Sequence, residues 1–239
     1  MAGRQADSIL FRAILFDFDG VLVDTERLHL AGFQHALAAH DISLDEASYF
    51  ARYIGFDDRD AFRVIFDDSG RPLPAPEELA RLTKEKARCF AELARERVEV
   101  YPGVRELLDS LAGMETGRLR VAIGSGALGR DIELVLGVTE MAQYFETIVA
   151  ADDVAHSKPD PETYLEACRR LAETEPSLRP AQCLVIEDTP AGLQAATRAG
   201  MVTVAVTNTH AAEMLDADLV LGSLAELTLE RCASLFDGN

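Results

Sequence analysis

Two kinds of apolar pattern alternate along the chain. Ile14-Leu15-Phe16, Leu119–Ile123, Thr147–Ala150, Cys183–Ile186 and Val202–Val206 are short continuous runs, as expected of strands buried on both faces. Leu128–Leu136, Pro161–Ala172 and Pro190–Ala199 lie between them and repeat their apolar residues at helical spacing. Strand and helix in alternation predict a parallel sheet with crossover helices, an α/β, doubly wound (Rossmann-like) layer. Asp218–Leu221 is the candidate for a short last strand.

From about Asp24 to Val98 the alternation stops. No convincing strand occurs there, and apolar residues recur at helical spacing in three groups: Leu28, Phe33 and Leu37; Phe62, Ile65 and Phe66; Leu79, Leu82, Phe90 and Leu93. The loop Ser69–Pro76 separates two of these helices, and Tyr101-Pro102-Gly103 marks the return to the alternating pattern. The expected organisation is an α/β core of residues 1–21 and 99–239 with an inserted α-helical cap of residues 22–98.

Composition narrows the function classes. The chain has 239 residues, 48% hydrophobic and 27% charged, which suits a soluble globular protein and excludes wholesale disorder. Its 41 acids against 23 lysines and arginines give a formal net charge of −18. Such a chain repels nucleic acid and anionic membrane at long range. It also disfavours anionic small molecules unless a local site reverses the field. Most of the surplus lies outside residues 22–98. Cys89, Cys168, Cys183 and Cys232 form no CxxC pair, which argues against a zinc ribbon or a redox motif. The N-terminal sequence lacks the pattern of a signal peptide, and no stretch reaches the roughly 20 apolar residues that span a bilayer. The expectation is a cytoplasmic protein, a monomer or weak dimer.

Four constellations sit where strands end. Asp17-Phe18-Asp19-Gly20 is followed by Val21-Leu22-Val23-Asp24-Thr25. A carboxylate at the end of a buried parallel strand is costly unless it is used or paired, and ligands of open α/β sheets bind beyond the carboxyl ends of the strands. Two acids one residue apart can serve as nucleophile or metal ligand and as proton donor; a solvated strand-end turn is the plainer alternative. Ser125-Gly126 ends the next run, where a hydroxyl and a backbone N–H can hold a phosphate oxygen near a helix N-terminus, or simply make a glycine turn. Lys158 precedes Pro159-Asp160-Pro161 and is the one lysine outside the helical segment, the others being Lys84 and Lys86. It is either a point charge for a phosphate or a surface lysine. Glu187-Asp188 ends Cys183–Ile186 and can complete an oxygen site for Mg²⁺ beside the first motif, or Asp188 and Thr189 can cap the helix that starts at Pro190.

The four motifs in this order, over nearly the whole chain, resemble the haloacid dehalogenase (HAD) superfamily. The helical insert resembles the cap of the subgroup with beta-phosphoglucomutase, phosphoglycolate phosphatase and CbbY-like phosphatases. The resemblance implies Asp17 as the nucleophile that forms an aspartyl-phosphate and Asp19 as general acid/base. It implies Lys158 as the orienting cation, and Ser125 with Gly126 N–H as phosphate contacts. Mg²⁺ is the implied cofactor, held by Asp17, Asp19 (through its carbonyl), Asp188 and the adjacent Glu187. Glu26 and His29 share a helix face after the first motif, and with Arg59 and Lys86 they are the candidate cap contacts to substrate. A packing role for His29 and a solvated helix face for the basic pair are the alternatives. Asp57 and Asp58 precede Arg59 where relatives often carry a basic residue just after a glycine, here Gly55, and Gly126 stands where many relatives have a small hydroxyl. The implied activity is a Mg²⁺-dependent phosphatase acting on a small phosphorylated metabolite, a sugar phosphate in the leading reading. A phosphomutase is the alternative, and a non-catalytic sugar-phosphate binder the remote one.

Overall fold

The computed structural model describes residues 11–54, 58–113 and 119–237. The chain forms two compact units, one ending at Asp24 and resuming at Val100, the other running from Thr25 to Glu99. The expected seams were at 21/22 and 98/99. They shift because Val21, Leu22 and Val23 are fully buried, and because Leu22 carbonyl accepts the N–H of Tyr101 at 3.1 Å.

In chain order the first unit contributes β1 (Ala13–Phe16) and β2 (Val23–Asp24). The second unit holds α1 (Glu26–Leu37), α2 (Glu46–Arg52), α3 (Asp58–Asp68) and α4 (Pro76–Arg97). Then follow β3 (Glu99–Val100), α5 (Val104–Ala112), β4 (Arg120–Gly124) and α6 (Gly129–Val138). The chain continues with β5 (Thr147–Val149), α7 (Glu162–Ala172), β6 (Cys183–Glu187) and α8 (Pro190–Arg198). It ends with β7 (Val202–Val206), β8 (Leu219–Leu221) and α9 (Leu229–Ser234). The strands β2 and β3 pair as a two-stranded sheet. At two residues each they are too short to show an alternation in sequence.

The main sheet has six parallel strands in the order β5-β4-β1-β6-β7-β8. From β1 the chain builds outward to β4 and β5 on one side, and then to β6, β7 and β8 on the other. The central strand therefore lies at the switch point where such sheets bind ligands. Every side chain of β1, β6 and β7 is buried, which explains the continuous apolar runs. On one face Tyr164, Ala167 and Leu171 of α7 and Ala195 and Ala196 of α8 pack with Leu15, Ala122 and Val185. Helix starts follow local rules. Thr189 accepts the N–H of Gly192 at 3.1 Å ahead of Pro190, and Asp45 accepts that of Ser48 at 2.8 Å.

The Thr25–Glu99 unit has its own core, with Phe33, Leu37, Tyr49, Phe62, Ile65 and Leu82 packed together and α1 lying along α4. The rings of Phe33 and Phe62 meet edge to face at 5.0 Å. No helix among the described residues is long and apolar enough to cross a membrane.

Phe62 has no exposed surface in this core. Phe62→Ala is expected to cost about 3–5 kcal/mol of stability, read as earlier urea unfolding by circular dichroism. A cost under about 1 kcal/mol would contradict this packing.

Candidate active site

Sheet register assembles the site. Phe16 lies opposite Ile123 of β4 and Ile186 of β6, so the residues that follow these three emerge side by side at the carboxyl edge. Asp17 N–H continues the ladder to Ile186 carbonyl at 2.9 Å, and Ser125 N–H reaches Val149 carbonyl at 2.9 Å. Asp17, Ser125, Glu187 and Asp188 are all buried there, and Asp19 is half-buried.

Lys158, on the loop before α7, lies at the centre of the charges. Its Nζ is 3.0 Å from Asp17 Oδ1 and 2.7 Å from Glu187 Oε1, and it sits 4.7 Å above the Tyr164 ring. Burial disfavours its charge, but the two carboxylates outweigh burial and hold its pKa above the usual lysine value.

The three acids differ in what satisfies them. Glu187 Oε1 accepts from Lys158 and from the Tyr164 hydroxyl at 2.8 Å. Its Oε2 accepts from the N–H groups of Asp188 and Thr189 and from the Thr189 hydroxyl, at 2.9, 3.0 and 3.0 Å. Burial works against that charge, and Lys158 and the hydrogen bonds overcome it, so Glu187 titrates below the usual range. Asp17 Oδ1 has only the ion pair and no aligned hydrogen bond. Burial, with the charges of Glu187 and Asp19 against the help of Lys158, raises Asp17 to about 7. Asp188 Oδ1 is buried without a hydrogen-bond partner, and burial followed by Glu187 and Asp17 pushes its pKa well above the carboxylate range.

One lysine thus faces three carboxylates. Ligand atoms of Asp17, Glu187 and Asp188 lie within 4.8 Å of one another. Two like charges at that spacing repel by about 3 kcal/mol at an effective dielectric near 20. Asp188 Oδ1, buried without a partner, and Asp17 Oδ1, held only by the ion pair with Lys158, belong to a set of hard carboxylate donors that fits a small divalent cation such as Mg²⁺. Glu187 was expected among the ligands, yet both its oxygens are already engaged within the protein. A second cluster, His156, Asp160 and Glu162, lies toward solvent, and Glu162 there accepts from Ala155 and His156.

Glycines make the crowding possible. Gly20 has φ +77°, and a Cβ on it would fall 2.0 Å from Asp188 Oδ2. A Cβ on Gly192 would fall 1.6 Å from Glu187 Oε1. The Ser125 hydroxyl accepts the N–H of Ala127 at 3.1 Å, while Gly126 is exposed with open space where a side chain would be.

The candidate cap residues belong to the second unit and divide differently. Glu26 accepts from the Tyr49 hydroxyl at 2.8 Å. Arg59 is exposed on α3. Lys86, expected as a cap contact to substrate with a solvated helix face as the alternative, is 1% exposed, which excludes the solvated face. Its ammonium donates to Asp58 Oδ1 at 2.7 Å and to His29 Nδ1 at 2.6 Å, between the rings of Phe33 and Phe90. Burial, then the charge of Lys86, lowers the pKa of His29 far below normal, so its imidazole is neutral. An ammonium only donates, so Nδ1 accepts and the ring proton is on Nε2. The ring stacks on Phe90 at 4.3 Å. Gly55, Phe56 and Asp57, where the sequence departs from its relatives, lie outside the described residues.

Tyr164 and the loop Thr207–His210 join the site without having been among the sequence candidates, and Gly192 was only the last residue of the fourth motif. Tyr164 falls on the apolar face of its helix and reads as core. The polar run Thr207-Asn208-Thr209-His210 directly after an apolar strand was a visible signal of the same kind as the other strand ends.

Fold and site together define a doubly wound α/β protein with a candidate active site at the carboxyl edge of the central strand. Residues 14–206 match the family described as haloacid dehalogenase-like hydrolase. The chain belongs to that family and is a hydrolase of the phosphoric-monoester type. It is 33% identical over 221 residues to validoxylamine A 7'-phosphate phosphatase of Streptomyces hygroscopicus subsp. limoneus, covering 91% of this chain and 96% of that one. It is 29% identical over 224 residues to beta-phosphoglucomutase of Bacillus subtilis, covering 92% of each. Its structure matches that of CbbY from Rhodobacter sphaeroides in complex with phosphate with a TM-score of 0.77 at 28% identity, over 91% of this chain and 96% of the other.

Two outcomes follow from this geometry. Gly192→Ala should displace Glu187, lowering the melting temperature by several degrees and activity at least tenfold; an unchanged melting curve would contradict the close approach. In the metal-free protein, Asp17 ionises near pH 4 when unfolded and near 7 when folded. Between those values the folded state binds the extra proton, so stability falls as pH rises from about 4 to about 7 and stays low above. Asp17→Asn removes that penalty, so the metal-free variant should melt above the parent at pH 8, with a gap that narrows toward pH 5. A gap that widens at low pH would reverse the assignment.

Proposed function

We propose that this hydrolase is a Mg²⁺-dependent phosphatase of a small phosphorylated metabolite, a sugar phosphate by preference, working through an aspartyl-phosphate at Asp17. The observation that carries this reading is the pair of buried acceptors without hydrogen bonds, Asp17 Oδ1 and Asp188 Oδ1, beside the lone lysine of the core. The 7'-phosphate ester in the name of the Streptomyces relative supports a small phosphorylated molecule as substrate, and the likeness to beta-phosphoglucomutase supports a sugar phosphate.

In this reading Asp17, Asp188 and the backbone carbonyl of Asp19 hold the Mg²⁺, and Glu187 is kept for Lys158. When bound, the ion supplies positive charge that offsets the phosphoryl oxygens and keeps Asp17 ionised. The Asp17 carboxylate attacks phosphorus. Lys158 holds that carboxylate in place and lends its own charge to the developing transition state. Ser125 and the N–H of Gly126 hold a phosphoryl oxygen. Asp19 gives its proton to the departing alcohol oxygen, then takes one from the water that cleaves the acyl phosphate and releases inorganic phosphate. Splitting the displacement in two lets one carboxyl act first as acid and then as base.

Transfer back to a sugar is the second reading, favoured by the likeness to beta-phosphoglucomutase. A mutase must also grip a second phosphate. Lys86, the buried lysine of the cap, is already compensated by Asp58, which supports a singly phosphorylated substrate. Glu26 and Arg59 remain the proposed cap contacts, and Lys86 and His29 support each other. The strong negative charge and four free cysteines support a cytoplasmic place, as a monomer or weak dimer.

A panel of sugar monophosphates assayed with Mg²⁺ for both released phosphate and isomerised ester tests this. Phosphate release without isomer is expected. Isomerisation without free phosphate would establish the mutase, and tight binding without turnover the non-catalytic binder. Asp17→Asn should reduce turnover by more than about a thousandfold; retained turnover would remove Asp17 as nucleophile.

A further inference from the structure

The loop after β7 reaches both acidic motifs at once. Asn208 Nδ2 donates to the carbonyl of Gly20 at 2.7 Å. The Thr209 hydroxyl donates to Asp188 Oδ2. His210 Nδ1 lies 3.2 Å from the backbone carbonyl of Asp188. Three consecutive side chains therefore fasten the turn after the first strand to Asp188, the residue after β6. None of the four strand-end motifs read from sequence includes them.

The contact from Thr209 makes the two oxygens of Asp188 unequal. Oδ2 takes the hydroxyl proton, and Oδ1 stays buried without a hydrogen bond. A carboxylate torsion has a broad, roughly two-fold profile and does not by itself distinguish its two oxygens. The bare Cα of Gly20 leaves room for Oδ2 on one side, and Thr209 fixes it there. Groups that hydrogen-bond to metal-binding carboxylates orient them, and their loss commonly weakens metal binding 10- to 100-fold.

We propose that Thr209 is a positioning residue for the cation site: its hydroxyl holds Asp188 Oδ2 and leaves Oδ1 as the open acceptor. Asn208 holds the carbonyl of Gly20 in the same loop, so that the Asp17-to-Gly20 turn and Asp188 keep one arrangement. The inference rests on the reading of Asp17 and Asp188 as the holders of Mg²⁺. In this proposal Thr209 acts through Asp188, to which its hydroxyl proton is committed.

Isothermal titration of Mg²⁺ into the metal-stripped full chain separates the two claims. Thr209→Val keeps the shape and removes the hydroxyl, and its Mg²⁺ Kd should rise about tenfold or more. Thr209→Ser restores the hydroxyl and should bind within about twofold of the parent. In phosphate-release assays the Val variant should need correspondingly more Mg²⁺ for half-maximal rate, with most of kcat recovered at saturation. A merely structural role would instead lower the metal-free melting temperature and leave the Mg²⁺ Kd unmoved, and that result overturns the proposal. If Thr209→Val fails to fold, Thr209→Ala against Thr209→Ser carries the same comparison. Parent protein that binds no Mg²⁺ overturns the metal reading and this inference together. Parent binding abolished by Asp188→Asn but unaltered by Thr209→Val overturns this inference alone.

Discussion

Lys158 at the carboxyl end of the central strand is the constraint on which the site depends. Three buried acids share its charge, and it cannot satisfy all of them. Glu187 wins because it lies nearer to the ammonium and because Tyr164 and the start of α8 saturate its oxygens. Asp17 and Asp188 are left buried with their charged forms disfavoured, Asp17 raised to about 7 and Asp188 well above the carboxylate range. Breaking one side of a buried ion pair costs several kcal/mol, so this arrangement stores a standing demand for positive charge. That demand fits a divalent cation, and a phosphoryl group, which the net charge of −18 otherwise repels, would be accepted only beside such a cation and Lys158.

The same physics, with the opposite result, governs the helical unit. Lys86 is almost fully buried, yet Asp58 cancels its charge, His29 Nδ1 accepts a second hydrogen bond from its ammonium, and two aromatic rings lie beside it. In that cluster one acid answers one lysine, although Asp58 Oδ2 is itself buried without a hydrogen bond, whereas the strand-end cluster sets three acids against one lysine. Two buried lysines in one chain thus have different uses, decided by how many acids each must serve.

The rest of the core holds this imbalance in place. Parallel pairing in register delivers the acids together, Gly20 and Gly192 give up their side chains so that carboxylates can stand where a Cβ would be, and the helix cap at Thr189 doubles as a donor to Glu187. Polar satisfaction of Glu187 and its denial to Asp17 and Asp188 arise from the same few residues. Structural and functional roles therefore cannot be assigned separately at this edge.

Much of this could be read along the chain. The continuous apolar runs of β1, β6 and β7 and the helical spacing of α7 and α8 identify the doubly wound layer, because burial on both faces leaves a local imprint. Asp17 and the Glu187-Asp188 pair stood out because charged residues ending such runs are locally costly, and Lys158 because it is the one lysine outside the helical segment. The two-residue strands β2 and β3 left no imprint at all. Nor could local pattern tell that Lys86 is interior, since its partners Asp58 and His29 come from other helices, or that Thr209 reaches Asp188 from 21 residues away. Periodicity and strand-end chemistry, which depend on neighbours in sequence, were determined by the sequence alone. Which carboxylate is satisfied and which is left wanting depends on hydrogen bonds between distant segments, and only the tertiary structure decided it.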